Sequence, residues 1–215
     1  MILLRLILLS LVITLAGCSD DDRARQAKFY AFGTEIDVSL FGVDEATAGN
    51  TVETLETAFN HTNDTWHAWQ PSILTDINTA IENGETITIT PDVETVILQA
   101  TQLAENSQHL FNPAAGKLFE LWGYHGDAWF ESRPPPSKNV LEQWLAAAPT
   151  MNDIKITDGQ LSSNNPQVKL GFGGFAKGYA VDTAIAALQQ QGIQHAIVNI
   201  GGDYVPSAPM ASVHG

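Results

Sequence analysis

The chain has 215 residues, 44% of them hydrophobic, and carries 24 acidic against 10 basic side chains for a formal net charge of −14. So few lysines and arginines argue against a nucleic-acid partner, whose binding depends on neutralising phosphates. Cys18 is the single cysteine, so an intramolecular disulfide is excluded.

Met1–Thr14 holds one early cation, Arg5, and a run of Leu, Ile and Val, followed by Leu15-Ala16-Gly17-Cys18 and then Ser19-Asp20-Asp21-Asp22. A short apolar stretch ending in small residues reads as an export signal over residues 1–17, too short and wrongly flanked for a spanning helix. The Leu-Ala-Gly-Cys tetrad resembles the bacterial lipoprotein box. That resemblance implies cleavage before Cys18 and lipidation of Cys18; an ordinary signal peptide with a stray cysteine is the alternative. Residues 18–28 are polar and unpatterned, as expected of a tether, and residues 29–215 read as a single globular domain.

Phe29–Gly42 is strand-like, with Ile36, Val38 and Leu40 alternating against Asp37 and Ser39. Asp44 is placed to cap a helix with Ala48, Val52, Leu55 and Phe59 on its apolar face. A Trp-rich turn (Trp66, His67, Trp69, Pro71) precedes a short helix through Ile73, Ile77 and Ile81, stopped by Gly84. Thr86–Thr90 reads as a strand. Pro91 then opens a helix burying Val93, Val96, Ile97, Ala100, Leu103 and Ala104. After the rigid Arg133-Pro134-Pro135-Pro136, Ser137 is expected to cap a helix through Val140, Leu141, Trp144 and Leu145. Ile154–Thr157, Asp158-Gly159 and Gln160–Ser163 read as a hairpin. The mixture of hairpin and strand–helix units predicts an α+β fold, a mixed sheet with packed helices.

The most informative segment is 168–203. Val168-Lys169-Leu170 reads as a short apolar strand running into Gly171-Phe-Gly-Gly-Phe-Ala-Lys-Gly178. A helix with Tyr179, Val181, Ile185 and Leu188 follows, and then Val198–Ile200, Gly201-Gly202 and Asp203. Glycines admit backbone N–H groups close to a ligand, and a helix N-terminus attracts anions, so the turn suits a phosphate or pyrophosphate with Lys177 at its mouth. A packing-only connection remains the alternative. Gly171-x-Gly173-x-x-Ala176 formally satisfies the dinucleotide fingerprint, but the acidic residue expected about 20 positions on arrives only at Asp203. No P-loop motif is present.

The six histidines, at 61, 67, 109, 125, 195 and 214, show no metal-ligand spacing. Trp66, His67 and Trp69 fit either a cluster capping the core or an aromatic face for a flat ring.

Taken in order, these segments resemble the ApbE-like flavin transferases, from about Phe29 to Asp203. The matching pieces are Phe32-Gly-Thr34, His67-Ala-Trp69-Gln-Pro71 with Leu74-Thr-Asp-Ile-Asn78, Phe111-Asn-Pro-Ala-Ala-Gly-Lys-Leu118 with Leu121-Trp-Gly123, Arg133–Pro136, Phe172–Asp182 and Asn199-Ile-Gly-Gly-Asp203. The resemblance implies an FAD:protein FMN transferase. With Mg²⁺, such an enzyme joins FMN from FAD to a Thr or Ser of a target, an acceptor protein of a membrane redox complex, and releases AMP. A truncated lipoprotein of the same family that binds flavin without transferring it, or is inactive, is the alternative.

The same resemblance implies FAD contacts at Phe32, Trp69, Leu110, Phe111, Asn112, Gly171, Lys177, Gly201, Gly202 and Asp203. Lys177 also serves catalysis, and the Gly174 carbonyl ligates Mg²⁺. Gly171 stands where the family has Asp. Family members continue well beyond the position of Gly215 and complete the metal site there, so the C-terminal part of the fold is expected to be missing. The lipoprotein signal implies a periplasmic protein, lipid-anchored to the inner or outer bacterial membrane.

Overall fold

A computed structural model describes residues 23–126 and 131–207. The export signal, the Cys18 box and residues 208–215 lie outside them. In chain order the elements are β1 (Arg25–Ala31), β2 (Thr34–Leu40), α1 (Glu45–Thr65), α2 (Ile73–Asn83), β3 (Ile87–Thr88), α3 (Pro91–Asn106) and α4 (Gly116–Leu121). They continue with α5 (Lys138–Ala147), a 3₁₀ turn (Met151–Asp153), β4 (Ile154–Thr157), β5 (Gln160–Ser163), α6 (Ala176–Gln190), β6 (Ala196–Ile200) and β7 (Asp203–Pro206). The fold is α+β. Contacts group the described residues into two compact units, 23–59 with 180–207, and 60–126 with 131–179.

The first unit holds an antiparallel sheet in the order β1-β2-β6-β7. Strands alternate their faces, so Phe29, Ala31, Ile36, Val38, Leu40, Ala196, Val198 and Ile200 all point into a core completed by Ala48, Leu55, Phe59, Ala180, Val181, Ala184 and Leu188. Asp44 caps α1, its Oδ1 accepting from Thr47 N–H at 2.9 Å. The opposite face is polar, with Lys28 Nζ bridging Glu35 (2.6 Å) and Asp37 (2.8 Å).

Two expectations change here. The strand expected over Phe29–Gly42 is a hairpin whose turn is Phe32-Gly33, both at positive φ (54° and 69°). The two-residue turn was hidden because it carries Phe where Asn or Asp is usual. β1 also begins at Arg25, inside the stretch expected to be tether; pairing with β2 supplies the order that its polar composition does not advertise. β6 pairs antiparallel with β2 and β7, so α6 does not connect parallel neighbours, which agrees with the sequence argument against a dinucleotide fold.

The second unit packs α2 and α3 with a small antiparallel sheet in the order β3-β5-β4. Its buried residues include Leu74, Ile77, Ile81, Val96, Ile97, Met151, Leu161, Leu170 and Phe172. Ser72 forms a capping box with Thr75 at the start of α2, and Gly84 ends that helix in the left-handed conformation at φ 70°. Leu103, expected on the apolar face of its helix, is 44% exposed. The expected hairpin 154–163 is present, with Asp158-Gly159 at positive φ.

Val168–Leu170 is not a sheet strand. It is an extended segment with a single parallel bridge, Lys169 to Ala115. Its backbone is held from both sides instead. Gly116 N–H donates to Lys169 O (2.7 Å), Lys169 N–H to Ala114 O (3.2 Å) and Gly171 N–H to Pro113 O (2.9 Å). On the other side buried Asn78 accepts from Leu170 N–H at 2.6 Å and donates its Nδ2 to Leu170 O at 2.9 Å. One side chain thus satisfies both backbone groups of a fully buried residue. Gly116 permits the close approach, since a Cβ there would lie 2.5 Å from Lys169 O.

Asn78→Ala, which strands two buried backbone groups, is expected to destabilise the protein by about 3 kcal/mol, and Gly116→Ala by about 2 kcal/mol through overpacking. Urea denaturation followed by circular dichroism checks both; midpoints equal to wild type would remove this account of the segment.

Candidate nucleotide site

The clamped segment delivers the chain into the glycine turn. Phe172 O accepts from Phe175 N–H (2.9 Å) and Ala176 N–H (2.7 Å), winding the first turn of α6 with Lys177 in it. Buried Phe172 anchors this turn against Trp66, with ring centroids 5.0 Å apart, and against Phe175 at 5.9 Å. Gly173 and Gly174 stay exposed.

The glycines in the turn are not explained by packing. A Cβ at Gly173 or Gly178 would meet nothing within 4 Å, and at Gly171 or Gly174 it would make ordinary contacts of 3.5 Å, with Gly116 Cα and Phe111 Cε2 respectively. None of the four has a positive φ. The packing-only alternative loses its support. Gly201 differs, because φ of 59° and a Cβ position 2.8 Å from Thr34 Oγ1 demand glycine there, and Gly202 has φ 105°. Those two form the β6–β7 turn, and Gly201 N–H donates to Glu35 O at 3.2 Å, beside the Phe32-Gly33 turn. Phe32, Gly201, Gly202 and Asp203 therefore share one end of the sheet in the first unit. Phe32 packs edge-on to Phe59, centroids 6.3 Å apart.

In the second unit Leu110 and Phe111 follow the end of α3, where Gln108 and His109 both take left-handed φ (55° and 62°). Leu110 is 90% exposed. The Asn112 side chain is engaged in building this loop, Nδ2 donating to Pro149 O (2.8 Å) and Oδ1 accepting from Ala114 N–H (3.1 Å).

The two readings of the Trp-rich turn divide between its residues. Trp66 is buried in the core, whereas Trp69 is 41% exposed and lines a cleft of about 300 Å³. The cleft also includes Thr75, Asn78, Glu82, Lys117, Glu120 and Lys169. Lys169 pairs with Glu120 at 2.9 Å and Lys117 with Glu82 at 3.9 Å, so its two cations already face carboxylates.

His125 stacks near Trp69, centroids 5.9 Å apart and planes 30° from parallel, and its buried Nδ1 has no hydrogen-bond partner among the described residues. Burial, and secondarily the Lys169 charge, hold its imidazole below the usual value against a smaller opposing pull from Glu120. Sequence reasoning assigned no site role to Glu82, Lys117, Glu120, His125 or Lys169; no spacing links them, and the fold brings them together.

Antiparallel sheets with packed helices define an α+β protein, and an exposed glycine turn opens its α6. The ApbE family model matches residues 32–209, and the chain belongs to the ApbE family.

Among curated relatives, it is 39% identical over 177 residues to an FAD:protein FMN transferase of Rhodobacter capsulatus, covering 81% of this chain and 33% of that protein. It is 25% identical to an FAD:protein FMN transferase of Haemophilus influenzae, covering 92% and 58% respectively. The crystal structure of the ApbE protein from Thermotoga maritima superposes with a TM-score of 0.76 at 24% identity, covering 87% of this chain and 60% of that one, and shares the fold. The chain thus spans about a third to three-fifths of the length of these relatives.

The depressed His125 value has a testable consequence. Unfolded imidazoles titrate near pH 6.5, so below that pH the unfolded chain binds a proton the folded chain resists, and stability falls on acidification towards the folded value. His125→Phe is expected to lose less stability between about pH 7.5 and 5 than wild type. Denaturation at the two pH values, with an NMR titration of the His125 ring, checks the shift; a midpoint above 6.5 contradicts it.

Proposed function

We propose that this chain carries the flavin-nucleotide site of an FAD:protein FMN transferase acting on an acceptor protein of a membrane redox complex. The observation that carries the reading is the Gly171–Gly178 turn, whose glycines neither packing nor backbone conformation requires, set at a helix start beside Lys177. An approaching pyrophosphate accounts for side chains being absent there. The names of the relatives support flavin chemistry over other nucleotide uses.

In this reading Trp69 faces the flat ring, and Leu110, Phe111 and Asn112 form a contacting loop. Lys177 and the glycine turn face the phosphates. A Thr or Ser hydroxyl of the acceptor attacks the FMN-side phosphorus. The bond to the bridging oxygen breaks, AMP leaves with that oxygen, and the hydroxyl proton is released. Lys177 offsets the charge on the leaving phosphate.

Gly174 is exposed, and its carbonyl is a hard oxygen donor of the kind Mg²⁺ accepts; it would hold the ion. Among the described residues no three His, Cys, Asp or Glu side chains converge on a metal site. Bound there, Mg²⁺ would neutralise phosphoryl charge. The lipoprotein box at Cys18 supports a periplasmic, lipid-anchored location on the inner or outer membrane. Among the described residues no helix is long and apolar enough to cross a membrane.

Incubation with FAD, Mg²⁺ and an acceptor peptide, read by in-gel flavin fluorescence, tests the assignment. Lys177→Ala is expected to lower transfer by about 100-fold. Gly173→Leu, which meets open space in the fold, should keep wild-type stability yet weaken FAD binding by at least about tenfold. FAD affinity unchanged in Gly173→Leu, or labelling unchanged in Lys177→Ala, would remove the turn from the site. Cys18→Ala should move the protein from the membrane to the soluble fraction; retention at the membrane would refute the anchor.

A further inference from the structure

Trp69 is held from two sides. His67 packs edge-on to the indole, centroids 4.7 Å apart and planes at 79°, and His125 lies on the stacked side. His67 also shapes the backbone, its Nδ1 accepting from Gln70 N–H at 3.1 Å and, more weakly, from Trp69 N–H at 3.4 Å. Accepting those hydrogens requires a lone pair, so Nδ1 carries no proton in this arrangement. Ser72 closes the loop from its far end, its hydroxyl donating to His67 O at 2.8 Å while its Oγ accepts from Thr75 N–H in the α2 cap. An asparagine or aspartate usually plays such a part, accepting from N–H groups two and three residues on.

We propose that His67 is a positioning residue for Trp69. Its Nδ1 fixes the backbone that carries the indole, so that losing this acceptor weakens binding of a flat-ring ligand against Trp69. The proposal rests on Trp69 being the flavin platform. Asparagine at 67 offers an Oδ1 where the imidazole offers Nδ1.

The test follows FAD binding to the full chain by fluorescence quenching, in parallel with the ¹⁹F resonance of 5-fluorotryptophan at position 69, assigned through Trp69→Phe. His67→Ala should bind about tenfold more weakly than wild type, about the worth of one lost hydrogen bond, and move the Trp69 resonance. His67→Asn should restore both the affinity and the resonance. Affinity and resonance unchanged in His67→Ala, or no rescue by His67→Asn, overturns the proposal. Absence of FAD binding in wild type, with the resonance behaving as expected, overturns the flavin assignment and leaves His67's role standing.

Discussion

Asn78 donates to and accepts from the backbone of Leu170 deep in the second unit, and the candidate phosphate turn depends on that pair. The segment Val168–Gly171 lies in no sheet, yet it is buried at Val168 and Leu170, where an unpaired N–H or C=O costs about 1–3 kcal/mol. A side chain substitutes for a neighbouring strand on one side, and the 113–116 loop pairs on the other. The glycine turn and the first turn of α6 start from this fixed point. α2 owes its own start to the Ser72–Thr75 capping box, so the position of the turn is coupled to a helix almost a hundred residues earlier.

Glycines in this chain do two physically different things. At Gly116 and Gly201 the chain itself excludes a side chain, by approach of Lys169 O in one case and by Thr34 with a left-handed φ in the other. At Gly171, Gly173, Gly174 and Gly178 the chain excludes nothing. Such residues are costly to order, and the proposed function gives that turn the phosphates. The lysines of the Trp69 cleft face glutamates, which offsets their charge there.

The aromatic loop combines anchoring and display within four residues. Trp66 locks onto Phe172 and so onto the glycine turn; Trp69 remains exposed, with its backbone set by His67 and its ring flanked by two imidazoles. The anchor and the platform are thereby held in a fixed relation to the same turn.

The sequence by itself determined most of the helices and several of their ends, because Asp44, Gly84, Pro91 and Ser137 signal them through local backbone chemistry; the Ser72 cap and the short helix Gly116–Leu121 emerged only in the fold. It determined the Asp158-Gly159 hairpin for the same reason, and the glycine turn with Lys177, whose residue types are costly enough to announce themselves. The order of its motifs carried the family. Only the tertiary structure decided that Phe32-Gly33 is a turn, since the sheet's twist imposes positive φ on a residue that does not ask for it. Only the tertiary structure replaced a strand at Val168–Leu170 with a side-chain clamp, because Asn78 and Leu170 are 92 positions apart and no local pattern links them. The cleft of Trp69, Glu82, Lys117, Glu120 and Lys169 was likewise invisible, for its members sit on separate elements whose packing, rather than any spacing, makes them neighbours.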